Sequence, residues 1–253
     1  MREYTSIAAA LGTHVRWPVS RRAYCGAGRV FTLELAKGRT FHMPPVFSER
    51  QSQNLVPLGG FVALYMLGFG GYALSQGNKE FLFYGFIMLV LIGLVMYMHS
   101  KVKFTMAVLW LLAFWGFLHM AGGTIPIPRE CMASTVPPVG TGNVLYNFRA
   151  FSWTPKYDQF VHAFGFFSAT LAAWEALRVS TYNNMRPTFG ALFAIVCVGM
   201  GLGGLNEVVE FIAVLTIPNT NVGGYENTGW DLVSNLVGCI FAAVVIPLRS
   251  TRR

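Results

Sequence analysis

The chain has 253 residues, of which 54% are hydrophobic and only 12% are charged. A soluble domain carries about twice that fraction of charged residues, so the composition excludes an ordinary soluble protein. The net charge of +8 comes without a nucleic-acid-binding motif, and the basic residues flank hydrophobic stretches. The positive charge is therefore a signal of how the spans are oriented in a membrane, and we predict no nucleic-acid partner.

Residues 1–42 are basic and contain no apolar run long enough for a signal peptide. Two explanations stay open. The segment is a loosely ordered cytoplasmic extension, or the gene start is placed too early and Met43 is the true first residue. We predict three parts in all. Residues 1–54 form a basic cytoplasmic extension, 55–248 form the membrane domain, and 249–253 form a basic cytoplasmic tail.

A helix needs about 20 mainly apolar residues to cross the hydrocarbon core of a membrane. The sequence predicts an all-α, polytopic membrane helix bundle with six transmembrane helices. The predicted spans are 55–75, 80–98, 104–122, 157–177, 188–216 and 230–248. In the fifth span, Gly199 and Gly203 are four residues apart, a spacing that permits a neighbouring helix to approach closely.

Lysine and arginine placement predicts the direction of these spans. With the N-terminus in the cytoplasm, 15 of the 19 basic residues fall in inner segments and four in outer ones. Both termini are therefore predicted to be cytoplasmic. The long outer loop between the third and fourth spans, about residues 123–155, could cover a site as a lid.

Polar residues of the last four spans fall at the predicted outer ends. Their spacings of three or four residues put neighbours on one helix face. These residues are His119, Asp158, His162, Glu207, Glu210, Asp231 and Asn235. Acidic groups in a membrane are costly to bury, so a cluster of them indicates a functional site. Asp158 and Asp231 could alternatively serve as helix N-caps.

The residue types at these positions suit a divalent metal such as zinc, manganese or iron. We predict His119, Asp158, His162 and Glu210 as its ligands. We predict Glu207, Asp231 and Asn235 as catalytic residues around it. The carboxylates and the histidine would equally suit a proton or cation relay in a transporter. Neither HExxH nor a paired ExxH motif is present.

Four short motifs follow one another in a distinctive order. They are His119-Met-Ala-Gly122-Gly123, Tyr157-Asp158-x3-His162, Glu207-x2-Glu210 and Asp231-x3-Asn235-x2-Gly238. This order resembles the YjdF-like bacterial inner-membrane proteins over about residues 105–245, and the last three motifs resemble the broader VanZ-like group. Gln159 and Glu210 depart from the VanZ-like pattern, which usually has a basic residue and a glutamine there. The resemblance implies a multi-pass protein of the bacterial inner membrane and no established reaction.

The leading interpretation is an envelope enzyme or accessory protein acting on a lipid or lipid-linked substrate at the outer leaflet. A proton- or cation-coupled transporter is the first alternative. It predicts polar residues continuing toward the cytoplasmic side. A non-catalytic scaffold, in which the polar groups only fasten the helices together, is the second alternative.

Overall fold

The computed structural model describes residues 32–35, 39–42, 54–128, 143–151 and 153–250. The chain divides into two compact units, Met1–Arg50 and Gln51–Arg253. The described part of the first unit is an antiparallel hairpin of β1 (Thr32–Leu35) and β2 (Arg39–His42), which was not predicted. The question of a start at Met43 lies outside the described residues.

Among the described residues of the second unit there are six long apolar helices, which confirms the predicted all-α membrane bundle. They are α1 (Val56–Ser75), α2 (Lys79–Val102), α3 (Met106–Thr124), α4 (Tyr157–Ser180), α5 (Phe189–Thr216) and α6 (Tyr225–Ser250). A short 3-10 helix, Leu145–Asn147, precedes α4. The last helix begins five residues before the predicted span, because the polar sequence YENTG continues the helix outside the apolar stretch.

Side-chain caps set several helix starts. The Asn78 side chain accepts a hydrogen bond from the Phe81 N–H at the start of α2, and Thr105 and Thr188 cap α3 and α5 in the same way. Between α2 and α3, the Glu175 carboxylate of α4 accepts the Thr105 N–H at 2.8 Å and the Thr105 hydroxyl at 2.7 Å. This contact ties the start of α3 to the end of α4 opposite the predicted polar cluster.

Glycines let α4, α5 and α6 approach closely. A Cβ at Gly199 would lie 2.6 Å from the Cys239 Sγ, and one at Gly203 would lie 2.8 Å from the Asn235 amide nitrogen. Gly238 faces the main chain of α4 at Ala163. The predicted packing role of Gly199 and Gly203 is confirmed, because both are buried against a neighbouring helix.

Large apolar side chains cover the outside of the bundle. On α5 they include Phe193, Leu205, Phe211 and Leu215, all of them exposed, and α1, α2 and α6 carry similar residues. A soluble protein rarely exposes so much contiguous apolar surface. The helices therefore face lipid, and the protein is a membrane protein.

Candidate functional site

His162, in the second turn of α4, is the centre of a polar cluster at one end of the bundle. Its Nε2 lies 3.7 Å from the Asp158 Oδ1 and 3.5 Å from the Glu210 Oε1. Its Nδ1 lies 3.7 Å from the Glu207 Oε1 and 3.1 Å from the Asn235 Oδ1. The cluster thus joins residues of α4, α5 and α6.

The Nδ1 contact fixes the proton on the imidazole. An amide oxygen can only accept a hydrogen bond, so the His162 Nδ1–H donates to the Asn235 Oδ1. In the neutral imidazole this leaves the Nε2 lone pair facing Asp158 and Glu210. His162 is buried, and Asn235 is fully buried.

Two carboxylates of the cluster have oxygens without hydrogen-bond partners among the described residues. Both oxygens of Glu207 and the Oδ1 of Asp231 are buried and have no such partner. Asp231 is fully buried, and the Glu207 side chain is 11% exposed. Buried polar atoms in proteins are nearly always paired, so these oxygens indicate a place for a ligand, an ion or ordered water.

Asn227 and Lys156 form the rim of the cluster. The Asn227 side-chain amide donates to the Asp231 Oδ2 at 2.6 Å, to the Val222 carbonyl at 3.0 Å and to the Asp158 Oδ2 at 3.4 Å. The Lys156 ammonium donates to the Asn227 Oδ1 and lies 3.8 Å from the Asp158 Oδ2. Lys156 is thus a cation at the edge of a group of four acids.

His119 lies among aromatic side chains and contacts Tyr146, in the loop before α4. Its Nδ1 lies 2.6 Å from the Tyr146 hydroxyl, and its ring is surrounded by the rings of Phe81, Tyr84 and Trp115. A Cβ at Gly122 would lie 2.6 Å from the Tyr146 ring. Gly122, about one turn after His119, therefore leaves space for the Tyr146 ring that contacts the histidine.

Tyr146 belongs to the loop predicted as a lid, of which residues 129–142 lie outside the described part. Burial raises the pKa of the Tyr146 phenol well above its ordinary value, and the charges of Asp158 and Glu210 raise it further. The phenol therefore stays protonated and can donate a hydrogen bond to the His119 main-chain carbonyl at 3.1 Å.

Two further residues of this end were not predicted. Glu80, at the start of α2, is buried and accepts the Asn221 N–H at 2.9 and 3.0 Å. The Asn221 side chain adds a third bond at 3.0 Å. Asn206 was also missed, and its amide donates to the Glu210 Oε1 at 2.8 Å. Only the position of Glu80 at a span boundary could have drawn attention to it.

Within the described residues, two sets of three side chains have the proximity that a metal ion requires. They are Asp158, His162 and Asp231, and His162, Glu207 and Glu210. In each set the ligand atoms lie within 4.8 Å of one another. His119 belongs to neither set, so its predicted role as a ligand stays a prediction.

Comparisons with known proteins identify a family. Residues 58–252 match the family described as "Predicted membrane protein (DUF2238)". No curated protein and no solved structure shows significant similarity to the chain. The match includes all six helices and every predicted site residue, and the chain belongs to this family of predicted membrane proteins.

Proposed function

We propose that the cluster around His162 binds a divalent cation and that the protein acts on a lipid or lipid-linked substrate at the membrane surface. The observation that carries the proposal is one histidine among four carboxylates, with buried oxygens of Glu207 and Asp231 that have no hydrogen-bond partner among the described residues. With both termini cytoplasmic, this end of the bundle would face the outer leaflet of a bacterial inner membrane.

The distances around Nε2 support a shared ion. Direct hydrogen bonds between nitrogen and oxygen are about 2.7–3.2 Å long. Two atoms that each lie about 2.1 Å from one tetrahedral ion are about 3.4 Å apart. The Nε2 of His162 lies 3.7 Å from Asp158 and 3.5 Å from Glu210, closer to the second arrangement. We infer that His162 and Glu210 are ligands of the ion together with Glu207, which completes a set of three whose ligand atoms lie within 4.8 Å of one another.

Asn235 supports the same assignment from the other side of the ring. Metal-binding histidines usually donate their second ring N–H to an oxygen, which fixes the tautomer and the orientation of the ring. The Nδ1 contact with the Asn235 Oδ1 has this geometry. Asn235 is then a positioning residue for His162.

The charges also favour a cation. Asp158, Glu207, Glu210 and Asp231 bring four negative charges into one buried end, with Lys156 at its edge. Insertion scales put an acid at the centre of a membrane helix at about +2.5 to 3.5 kcal/mol. A divalent cation would offset part of this cost. Zinc, manganese or iron suits one nitrogen and several carboxylate oxygens, and such an ion can lower the pKa of bound water and polarise a substrate oxygen.

A groove between α1 and α3 supports a lipid-linked substrate. It has a volume of about 560 Å³ and aromatic walls that include Phe61, Phe69 and Phe117. Thr124 and Pro126 line it near the end of α3 that also carries His119. Its lining is almost entirely apolar, which suits a hydrocarbon chain.

The alternative of a proton- or cation-coupled transporter has one observation in its favour, since His162 lies within 3.7 Å of carboxylates from both α4 and α5. Farther along α4, however, the buried Ser168 and Thr170 bond within the bundle, to the Phe164 carbonyl and the Cys239 Sγ. A relay would need further polar groups toward the opposite end. We therefore favour the cation-dependent enzyme.

Elemental analysis of the purified full-length protein tests the proposal. We expect one equivalent of a transition metal in the wild type, and its loss in His162→Ala and Glu210→Gln. His99→Ala is the matched control, because His99 is a buried histidine at the opposite end of the bundle. His119→Ala tests whether His119 is also a ligand, and we expect it to retain the metal. Wild-type protein that binds no metal after dialysis against zinc, manganese or iron would rule the proposal out.

A further inference from the structure

Tyr84 on α2 has a buried hydroxyl without a hydrogen bond to any described residue. The residue is 6% exposed, and its hydroxyl has no hydrogen-bond partner in the described part of the chain. Its ring packs edge-on against the rings of His119, at 5.7 Å, and Phe81, at 5.5 Å. Buried phenol hydroxyls usually find a partner, so a fully packed ring with an unpaired hydroxyl needs an explanation.

Tyr84 lies at the same end of the bundle as the candidate site. It is one turn after Glu80 on α2, and its ring contacts His119 of α3. A phenol close to carboxylates normally donates a hydrogen bond to one of them, yet Tyr84 does not, and both oxygens of Glu207 are also without partners in the described chain. The unpaired donor on α2 and the unpaired acceptor on α5 therefore belong to one region.

The chemistry of the neighbours limits what could accept this hydrogen bond. An acceptor with a full negative charge would be repelled by the surrounding carboxylates unless a cation brought it in. An anionic oxygen bound to the proposed cation meets this requirement. Asn235 offers a second buried N–H without a partner among the described residues, and Lys156 adds a positive charge at the rim.

We propose that Tyr84 is a ligand-binding residue whose hydroxyl donates a hydrogen bond to a phosphate-type oxygen held by the cation at His162, Glu207 and Glu210. The inference rests on the proposed function and adds the substrate class, an anionic phosphate group. Such a group could belong to a lipid headgroup or to phosphate in solution. The site then extends to a fourth helix that the sequence motifs do not include.

Cobalt(II) and orthophosphate are suitable probes of this arrangement. The full-length protein is placed in phosphatidylcholine nanodiscs and loaded with cobalt, and its visible spectrum is followed while phosphate is added. Loss of a hydrogen bond to a charged group should weaken phosphate binding in Tyr84→Phe roughly tenfold. Cobalt affinity should stay within about twofold of the wild type, because Tyr84 is not a proposed ligand of the ion.

Tyr65→Phe is the matched control, since Tyr65 is equally buried and its hydroxyl lies against Gly116 between α1 and α3. In a second arm, phosphatidic acid replaces part of the phosphatidylcholine. A spectral change without added phosphate that is weakened in Tyr84→Phe identifies a lipid headgroup as the source. A change with soluble phosphate alone identifies free phosphate.

The possible results separate the two proposals. If Tyr84→Phe binds phosphate as tightly as Tyr65→Phe, or if cobalt-loaded wild type binds no phosphate in either arm, Tyr84 does not have this role and the cation site stands. If the wild type binds no cobalt or other divalent metal, both proposals fail together.

Discussion

Gly203 on α5 lies directly against the side chain of Asn235 on α6. A Cβ at this glycine would be 2.8 Å from the Asn235 amide nitrogen and 3.3 Å from its Cβ. Asn235 in turn accepts the hydrogen bond from the His162 Nδ1. The absence of a side chain at Gly203 therefore leaves room for Asn235, and Asn235 orients the imidazole of His162.

Gly203→Ala should displace Asn235 and lower metal affinity. The methyl group would contact a fully buried side chain that has little room to move, so we expect at least a tenfold loss of affinity and a destabilisation of about 1–3 kcal/mol. Metal titration and thermal unfolding in detergent measure the two effects. Gly204→Ala is the control, because a Cβ there meets nothing within 4 Å. Equal losses in the two variants would show that the contact with Asn235 is not responsible.

Asp231→Asn should stabilise the metal-free protein. The Asp231 Oδ2 accepts a bond from Asn227, while the Oδ1 is buried without a partner in the described chain. An asparagine keeps an acceptor for Asn227 and removes a buried charge, so the free energy of unfolding should rise by about 1–2 kcal/mol in the presence of a chelator.

Asp231→Ala is the comparison for this experiment, because it removes the shortest hydrogen bond of the Asn227 amide and opens a cavity. It should lower the free energy of unfolding by about 2 kcal/mol under the same conditions. If Asp231→Asn lowers stability as much as Asp231→Ala does, the charge fastens the helices together. That result would favour the scaffold alternative.

Much of this cluster could be predicted from the sequence, because helix geometry is local. The spacing of Asp158 and His162 puts both on one face of α4, and the alternating direction of the helices brings that end of α4 beside Glu207, Glu210 and Asp231. The helix positions could be read from apolar length alone. The pairing of β1 with β2 could not be predicted in this way, because residues 32–42 contain no long apolar stretch.

The rest depends on contacts that no local pattern encodes. Glu80 and Asn221 are 141 positions apart, and Glu80 looks like an ordinary polar residue at a span boundary. Tyr84 looks like any aromatic residue of an apolar helix. His119 contacts Tyr146 because Gly122 leaves space for the tyrosine ring. The spacing of His119 from the other polar residues could not indicate this contact.

Glu80→Ala should loosen the connection between α5 and α6. Its carboxylate accepts three hydrogen bonds from Asn221, so its removal takes away three hydrogen bonds to a buried charged group and should cost about 2–4 kcal/mol. Thermal unfolding measures the loss, and hydrogen exchange should rise around residues 217–224. Glu226→Ala is the control, because Glu226 is an exposed acid at the start of α6. A loss confined to global stability, with unchanged exchange in the connection, would contradict the local role of Glu80.

Cysteine labelling should establish which side of the membrane carries the candidate site. Tyr225 begins α6 at the end of the bundle that holds the site and is 96% exposed, while Tyr182 follows α4 at the opposite end and is 78% exposed. The excess of basic residues in the predicted inner segments predicts that Tyr225 lies outside and Tyr182 inside. In a background without the four native cysteines, an impermeant maleimide added to intact cells should label Y225C and leave Y182C unlabelled until the cells are permeabilised. The reverse pattern would place the cation site on the cytoplasmic face, where its substrate would have to be a cytoplasmic-leaflet lipid or a soluble phosphate compound.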